Sequence, residues 1–306
     1  MHWYQLMNRQ GVKIIKAISW ITGLILVIAL FLIIFQLSAN NLEFSRYNPG
    51  WNGTTSFFSD LDRHHTLDAN DPSALAGQPR NATLLIIAPK RYPTAPELAA
   101  YRDFLRQGNR IILVDDFGTG NAILDGIGST INILPGNLSS LDRQYPDPGS
   151  VVAYRVTGEN EFSLPADIAL NYAAPLEGGS PLILTSVLSW VDVNGDRRLN
   201  FGEDMGTFPV MAIETIGPGQ VIVLSDPSIF INSMYHQAEN ENNRFLIRSL
   251  VSSDGLVLID QMNSRTADDT AFGEILHIIK NTVIIEVIIL CLIILGMAWT
   301  WKQKIM

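Results

Sequence analysis

"TLLIIAPKRYPTAPELAAYRDFLRQGNRIILVDD" runs from Thr83 to Asp116, and its reading decides the fold. Thr83 to Pro89 is a short apolar run suited to a strand buried on both faces. Thr94-Ala-Pro-Glu97 has the spacing of a capping box, in which Thr and Glu satisfy orphan amides at a helix start. The helix continues through LAAYRDFLRQ and stops at Gly108, where a left-handed residue ends it. Arg110 to Val114 is a second buried strand. Strand, helix, strand in this length is a βαβ unit, with parallel strands and a right-handed crossover.

Outward from this unit, Asn121 to Ile127 reads as a short helix and Thr130 to Leu134 as a strand. Val151 to Val156 and Ala169 to Tyr172 are further strands. Val210 to Thr215 and Gln220 to Leu224, joined by Gly217-Pro-Gly219, read as a hairpin. Glu239 to Ser252 reads as a helix and Leu256 to Ile259 as a last buried strand. Met262 to Gly273 is polar and reads as the way out of the domain. Continuous apolar strands alternating with helices give an α/β class with a mainly parallel, Rossmann-like (flavodoxin- or amidotransferase-like) sheet.

The chain has 306 residues, 47% hydrophobic, and a net charge of −9. Ala17 to Leu37 carries no charge, and Thr282 to Trp301 carries only Glu286. Each run is long enough to cross a bilayer as a helix. Arg9, Lys13 and Lys16 before the first run and Lys302 and Lys304 after the second set both termini in the cytoplasm. The expected plan is a cytoplasmic N-terminus over 1–16, a transmembrane helix over 17–38 and an extracytoplasmic α/β domain over 39–273. A juxtamembrane stretch over 274–281, a second transmembrane helix over 282–301 and a cytoplasmic tail over 302–306 complete it. The middle segment holds 28 Asp and Glu against 15 Lys and Arg, a surface that repels nucleic acid. The one cysteine, Cys291, lies in the second run, so the domain has neither disulfides nor a cysteine nucleophile. Sequons at Asn52, Asn81 and Asn137 are glycosylation candidates if the host supplies the machinery.

Several stretches occur together: YNPGWNGTTSF (Tyr47 to Phe57), the βαβ unit with its Asp-Asp-Phe-Gly-x-Gly-Asn turn, SWVDVNGDRRLNFGEDMGTFPVMA and VIVLSDPSIFINSM. The set resembles archaeal membrane-anchored proteins of the domain-of-unknown-function 4350 family. That resemblance implies a class I glutamine-amidotransferase-like α/β domain, similar to the soluble part of auxiliary components of gliding-type ABC transport systems. It implies no activity of its own.

Three places carry candidate chemistry. The first is DVNGDRRLNFGE. Counted from Asp192, side-chain oxygens fall at positions 1, 3, 5, 9 and 12 (Asp192, Asn194, Asp196, Asn200, Glu203), with the Arg198 carbonyl at 7. This is the ligand spacing of a calcium loop. Arg197 stands at position 6, where glycine is usual, and must take a positive φ at a cost of about 1 kcal/mol. Leu199 is expected to make the loop's apolar contact. The competing reading is an acidic surface turn. The second place is the set of strand ends, where RIILV runs into Asp115 and Asp116, VIVLS into Asp226, and LVLI into Asp260. Converging carboxylates there could hold Mg²⁺ for hydrolysis, whereas dispersed ones are helix caps and turns. The third is Asn232 to His236 with Asn240 to Asn243, read as either a polar pocket or a loop held by side-chain hydrogen bonds. His64 and His65 are adjacent and point apart on a helix, which disfavours zinc.

The expected function is a non-catalytic binding or scaffold component of a membrane assembly, transporter-associated, with a structural Ca²⁺ loop. Its partners would be the lipid bilayer and other membrane proteins, with no nucleic acid. The alternatives are a metal-dependent hydrolase at the strand-end aspartates and a carbohydrate- or peptide-binding module.

Overall fold

The computed structural model describes residue 23 and residues 41–61, 65–142, 144–157, 162–235, 241–251 and 255–267. In chain order the elements are α1 (Thr55–Asp60), β1 (Thr66–Ala69), β2 (Thr83–Ile87), α2 (Ala95–Arg106), β3 (Arg110–Val114) and α3 (Asn121–Ile127). There follow β4 (Asn132–Ile133), β5 (Asn137–Ser140), β6 (Ser150–Arg155), β7 (Asp167–Asn171), β8 (Leu176–Glu177), β9 (Ser180–Thr185), β10 (Ser189–Asp192) and β11 (Met205–Gly206). The last are β12 (Pro209–Ile216), β13 (Gly219–Leu224), α4 (Asn232–Tyr235), α5 (Glu241–Val251) and β14 (Val257–Asp260).

The βαβ unit forms as its sequence dictates. The capping box is closed at both ends: Thr94 and Glu97 each serve the other's backbone N–H. β2 and β3 pair in parallel, Thr83 opposite Arg110 through Ile87 opposite Val114.

Nine strands join in one sheet, in the order β1-β14-β2-β3-β13-β12-β9-β6-β7. From β1 to β13 every pairing is parallel. From β13 to β7 every pairing is antiparallel. The expectation of a mainly parallel Rossmann-like sheet is therefore corrected: the sheet is mixed, with few helices. The cause lies in the connections. A parallel pair needs a crossover of about a dozen residues or more, usually helical. β2 reaches β3 through α2, and β13 reaches β14 through α5. No helix is present among the described residues between α3 and β13, and the strands there pair antiparallel. The tightest link is the β12–β13 hairpin, where Ile216 pairs with Gly219 and Gly217 takes φ 59° ahead of Pro218. Only glycine enters that turn without strain.

Alternate strand residues face two cores. Leu85, Ile87, Ile112, Val114, Ile222 and Leu224 pack with Leu246, Ile247 and Leu250 of α5 and with Val151 and Leu170 of the antiparallel half. Leu84, Ile86, Ile111, Leu113 and Val223 pack with Tyr101, Phe104 and Leu105 of α2 and with Ile123 and Leu124 of α3. Residues Asn41–Ala267 form one compact unit. Met262, Asn263, Ser264, Thr266 and Ala267 are buried in it, so the polar stretch after β14 begins as core rather than as an exit.

Apart from residue 23, the expected spans at 17–38 and 282–301 lie outside the described residues. Among the described residues no helix is long and apolar enough to cross a membrane. The flanking transmembrane helices, and with them the two-span, cell-membrane location, are corrected accordingly: the described fold contains no membrane-spanning helix.

Candidate functional site

The parallel strands β14, β2, β3 and β13 end side by side, and all but β2, which runs on through Ala88 and Pro89, lead into aspartate. β3 continues to α3 on one face of the sheet, while β13 continues to Pro227–Phe230 and α5 on the other. Neighbouring strands whose continuations part in this way open a crevice at their carboxyl ends. Asp115, Asp116 and Asp226 stand at that crevice. Asp260, two strands away across β2, stands outside it.

Three of the four aspartates are turn-builders. Asp115 is fully buried, and its carboxylate accepts the Phe117 N–H at 3.1 Å and the Gly120 N–H at 2.7 Å. A Cβ at Gly120 would come within 3.0 Å of that carboxylate, which is why the turn requires glycine. Asp226 accepts the Ser228 N–H at 2.8 Å and the Asn171 N–H, from the end of β7, at 2.6 Å. Asp260 accepts the Asn263 N–H at 2.6 Å, the Ser264 N–H at 3.0 Å and the Tyr101 hydroxyl at 2.8 Å. Burial holds the Asp115 and Asp260 carboxyls above the usual range against these bonds, and pushes Asp226 up to about 6.

Asp116 differs. Its Oδ1 is shielded from solvent and has no hydrogen-bond partner. Burial first, then the charges of Asp226, Asp115 and Glu43, push its carboxyl up to about 8. Nearby, Phe117 meets Phe44 edge-on at 6.3 Å, and the Arg265 guanidinium lies 4.5 Å over the Phe117 ring. Arg265 also pairs with Glu43 at 3.7 Å. The protein's own chain occupies the crevice mouth: besides the Asn171 contact, the Ala174 N–H donates to the Ser225 carbonyl at 3.1 Å. Among the described residues no three His, Cys, Asp or Glu side chains are gathered to hold a metal ion.

Around Asp260 sits a buried network that the sequence did not announce. Asn263 donates to the Tyr101 hydroxyl at 2.8 Å and to Glu97 at 3.4 Å, and Glu97 is clasped by Arg91. Burial alone would raise the Glu97 carboxyl, but Arg91 and the Thr94 amide outweigh it and bring it down to about 2. The only signal available was Asn263-Ser264 at three and four residues beyond Asp260, the spacing of an aspartate-closed turn.

The loop from Asp192 to Glu203 folds on itself. Asp192 accepts the Gly195 and Arg197 N–H groups at 2.8 Å each. Asn194 accepts from Asp196 N–H and Asp196 from Arg198 N–H. Glu203 accepts the Asn200 N–H at 2.8 Å and the Val193 N–H at 3.2 Å. Position 6 turns as a calcium loop requires, with Arg197 at φ 62°. Its side chain reaches Asp147 at 3.5 Å and lies 5.4 Å from the Tyr172 ring. Leu199, expected to make an apolar contact, is exposed. Of the sequons, Asn81 and Asn137 are exposed, whereas Asn52 is half-buried and accepts from Asn48 at 3.0 Å.

The amides after β13 act as ties. Asn232 donates to the carbonyls of Asn48 and Gly50, and Asn243 bonds both backbone groups of Ala169.

Among curated proteins none matches the chain. Among solved structures it is similar to the "mmIFT52 N-terminal domain", at 16% identity and TM-score 0.46, covering 65% of this chain and 89% of that one. It is also similar to the β-galactosidase of Bacillus circulans sp. alkalophilus (9% identity, TM-score 0.36, 58% of this chain and 23% of that one). The β-galactosidase of the Antarctic haloarchaeon Halorubrum lacusprofundi gives 16% identity, TM-score 0.32, and 58% and 23% coverage. The chain thus spans under a quarter of those two enzymes. None of these likenesses bears on what the protein does. Residues 46–251, spanning the βαβ unit, the strand ends through Asp226 and the oxygen-rich loop, match the family described as "Domain of unknown function (DUF4350)", and the chain belongs to that family.

Proposed function

We propose that the 41–267 unit is a non-catalytic binding or scaffold domain of a larger assembly, braced by calcium at the Asp192–Glu203 loop. One observation carries the first half. Asp115, Asp226 and Asp260 spend their carboxylates on backbone amides and a buried hydroxyl, as caps do. The amidotransferase-like resemblance adds no chemistry, since no cysteine is present between residues 41 and 267. The second half is supported by the donor spacing and by Arg197 at φ 62°. A carboxylate has about four lone-pair sites, so the amides of the loop leave acceptor capacity for an ion. Calcium bound there would draw Asp192, Asp196 and Glu203 together and fix the connection between β10 and β11.

A hydrolase remains the second reading because of Asp116, whose unpartnered oxygen and raised pKa suit a general acid. Two measurements separate them. Calorimetric titration should show calcium binding that is lost in Glu203→Gln. Hydrolysis of nitrophenyl phosphate and acetate with Mg²⁺ or Mn²⁺ should stay at the buffer rate. Turnover abolished by Asp116→Ala would overturn the non-catalytic reading, and an absent calcium heat would overturn the brace.

A further inference from the structure

Where the N-terminal turn of α5 meets β6 and the edge strand β7 there is a cavity of about 190 Å³. Gln144, Tyr145, Asp167, Asn242 and Asn243 form its polar wall. Val152 and Ala169, paired across β6 and β7, supply an apolar floor. At roughly 30 Å³ of liquid volume per water, the space equals that of about six waters. Pockets for drug-sized ligands are larger, about 300 Å³ and upward. The occupant is the size of one small ring.

The lining decides its chemistry by exclusion. Asp167 contributes a negative charge, so an anion is disfavoured. An apolar ligand would strand the side-chain amides without partners. A peptide adding to the edge of β7 would need the Ala169 N–H and carbonyl. Asn243 already holds both: its Oδ1 accepts the N–H at 2.9 Å and its Nδ2 donates to the carbonyl at 2.7 Å. The edge is closed to strand addition.

What remains is a neutral ligand with closely spaced donors and acceptors. Side-chain amides and a carboxylate present that complement, each amide offering two donors and an acceptor. Asn242 is oriented by donating to Asp167 at 2.6 Å. Tyr145 adds a ring with a polar tip. We infer that the cavity binds a neutral polyhydroxylated ring, a monosaccharide unit or the end of a glycan. This deepens, and rests on, the reading of the unit as a binding domain.

The test is saturation-transfer NMR on the full chain, with the methyl glycosides of glucose, galactose, mannose and N-acetylglucosamine as probes. Tetramethylammonium and methylphosphonate serve as cation and anion controls. At least one glycoside should bind saturably in the millimolar range. Asn242→Ala and Gln144→Ala, both at exposed residues, should each weaken it about fivefold, the effect of one lost hydrogen bond, without changing thermal unfolding. No saturable signal from any glycoside overturns the inference, as does binding indifferent to both substitutions. A response to tetramethylammonium alone also overturns it, assigning the cavity to a cation at Asp167. Calcium titration of the same samples keeps the outcomes apart. A chain that takes calcium but no glycoside loses this site and keeps its brace.

Discussion

Two regions of the molecule are built from aspartate and asparagine, and they use those oxygens in opposite surroundings. At the carboxyl ends of the parallel strands Asp115, Asp226 and Asp260 are fully buried. In the loop from Asp192 to Glu203, Asn194 and Asp196 are exposed and bond only to neighbours within the loop. The same turn chemistry is at work in both. In the first it is locked under two hydrophobic cores, where an unpaired donor has no water to turn to. In the second, Asn194 and Asp196 can trade their bonds for water, while Asp192, at the root of the loop, is buried. Stability should therefore reside in the strand-end aspartates and responsiveness in the loop.

The largest effect expected is at Asp260. Asp260→Ala would strand the buried Asn263 and Ser264 amides and the Tyr101 hydroxyl, costing about 3 kcal/mol in urea unfolding. Asp196→Ala, the matching change in the loop, should cost under about 1 kcal/mol because water takes over. Equal losses at the two sites would erase the contrast.

Asp116 tests the same edge from the other side, half-buried with one carboxylate oxygen left without a partner. Its carboxyl lies near 3.8 when unfolded and is pushed up to about 8 in the fold. Between those values the unfolded chain has released a proton that the native chain still holds. The unfolded state then binds fewer protons, so stability falls as pH rises from about 4 to about 8 and is flat beyond. Asp116→Asn removes this loss. The variant should match the parent at pH 4 and exceed it at pH 8. A gain equal at both pH values would assign the effect to packing.

These two regions were unequally legible in the sequence. Apolar runs bounded by a capping box and glycine placed β2, α2 and β3, because burial on both faces and helix capping are local signals. The antiparallel half was not so legible. β6 and β9 carry apolar runs like those of the parallel strands, and strand direction is not written in such runs. The absence of helical pattern between Ile127 and Pro209 was the signal available for it. The strand-end aspartates were visible as residues, but whether they converge depends on strand order. β2, lying between β14 and β3, separates Asp260 from the others. Asn263 lay hidden in a stretch read as exit, since a buried amide and an exposed one are spelled alike. The loop at Asp192 was the reverse case, its hydrogen bonds following its spacing almost residue by residue.

Calcium sharpens the contrast at smaller scale. A ligand that binds only the folded state adds about 1.4 kcal/mol at ten times its Kd. Thermal unfolding of the full chain should therefore shift upward with millimolar calcium, and Glu203→Gln should abolish the shift. Asp260→Asn should leave the shift intact, since that carboxylate belongs to the other region. A calcium response lost on substitution at Asp260 instead would place the ion at the strand ends.

The smallest effect expected is at Arg197, where two terms nearly cancel. Arg197→Gly relieves a left-handed backbone at φ 62°, worth about 1 kcal/mol. It also removes the Arg197 contacts with Asp147 and Tyr172. Both are exposed enough that their sum is about 0.5–1 kcal/mol. Net stability should change by no more than about 0.5 kcal/mol, read from urea unfolding without calcium. Affinity separates the two terms. The loop already holds φ 62° in the fold, so relieving that strain acts on stability, and calcium affinity should stay within about twofold. If affinity falls instead, the Arg197 side chain holds the loop in its binding shape through Asp147 and Tyr172, and arginine at the sixth position is a tether rather than a cost.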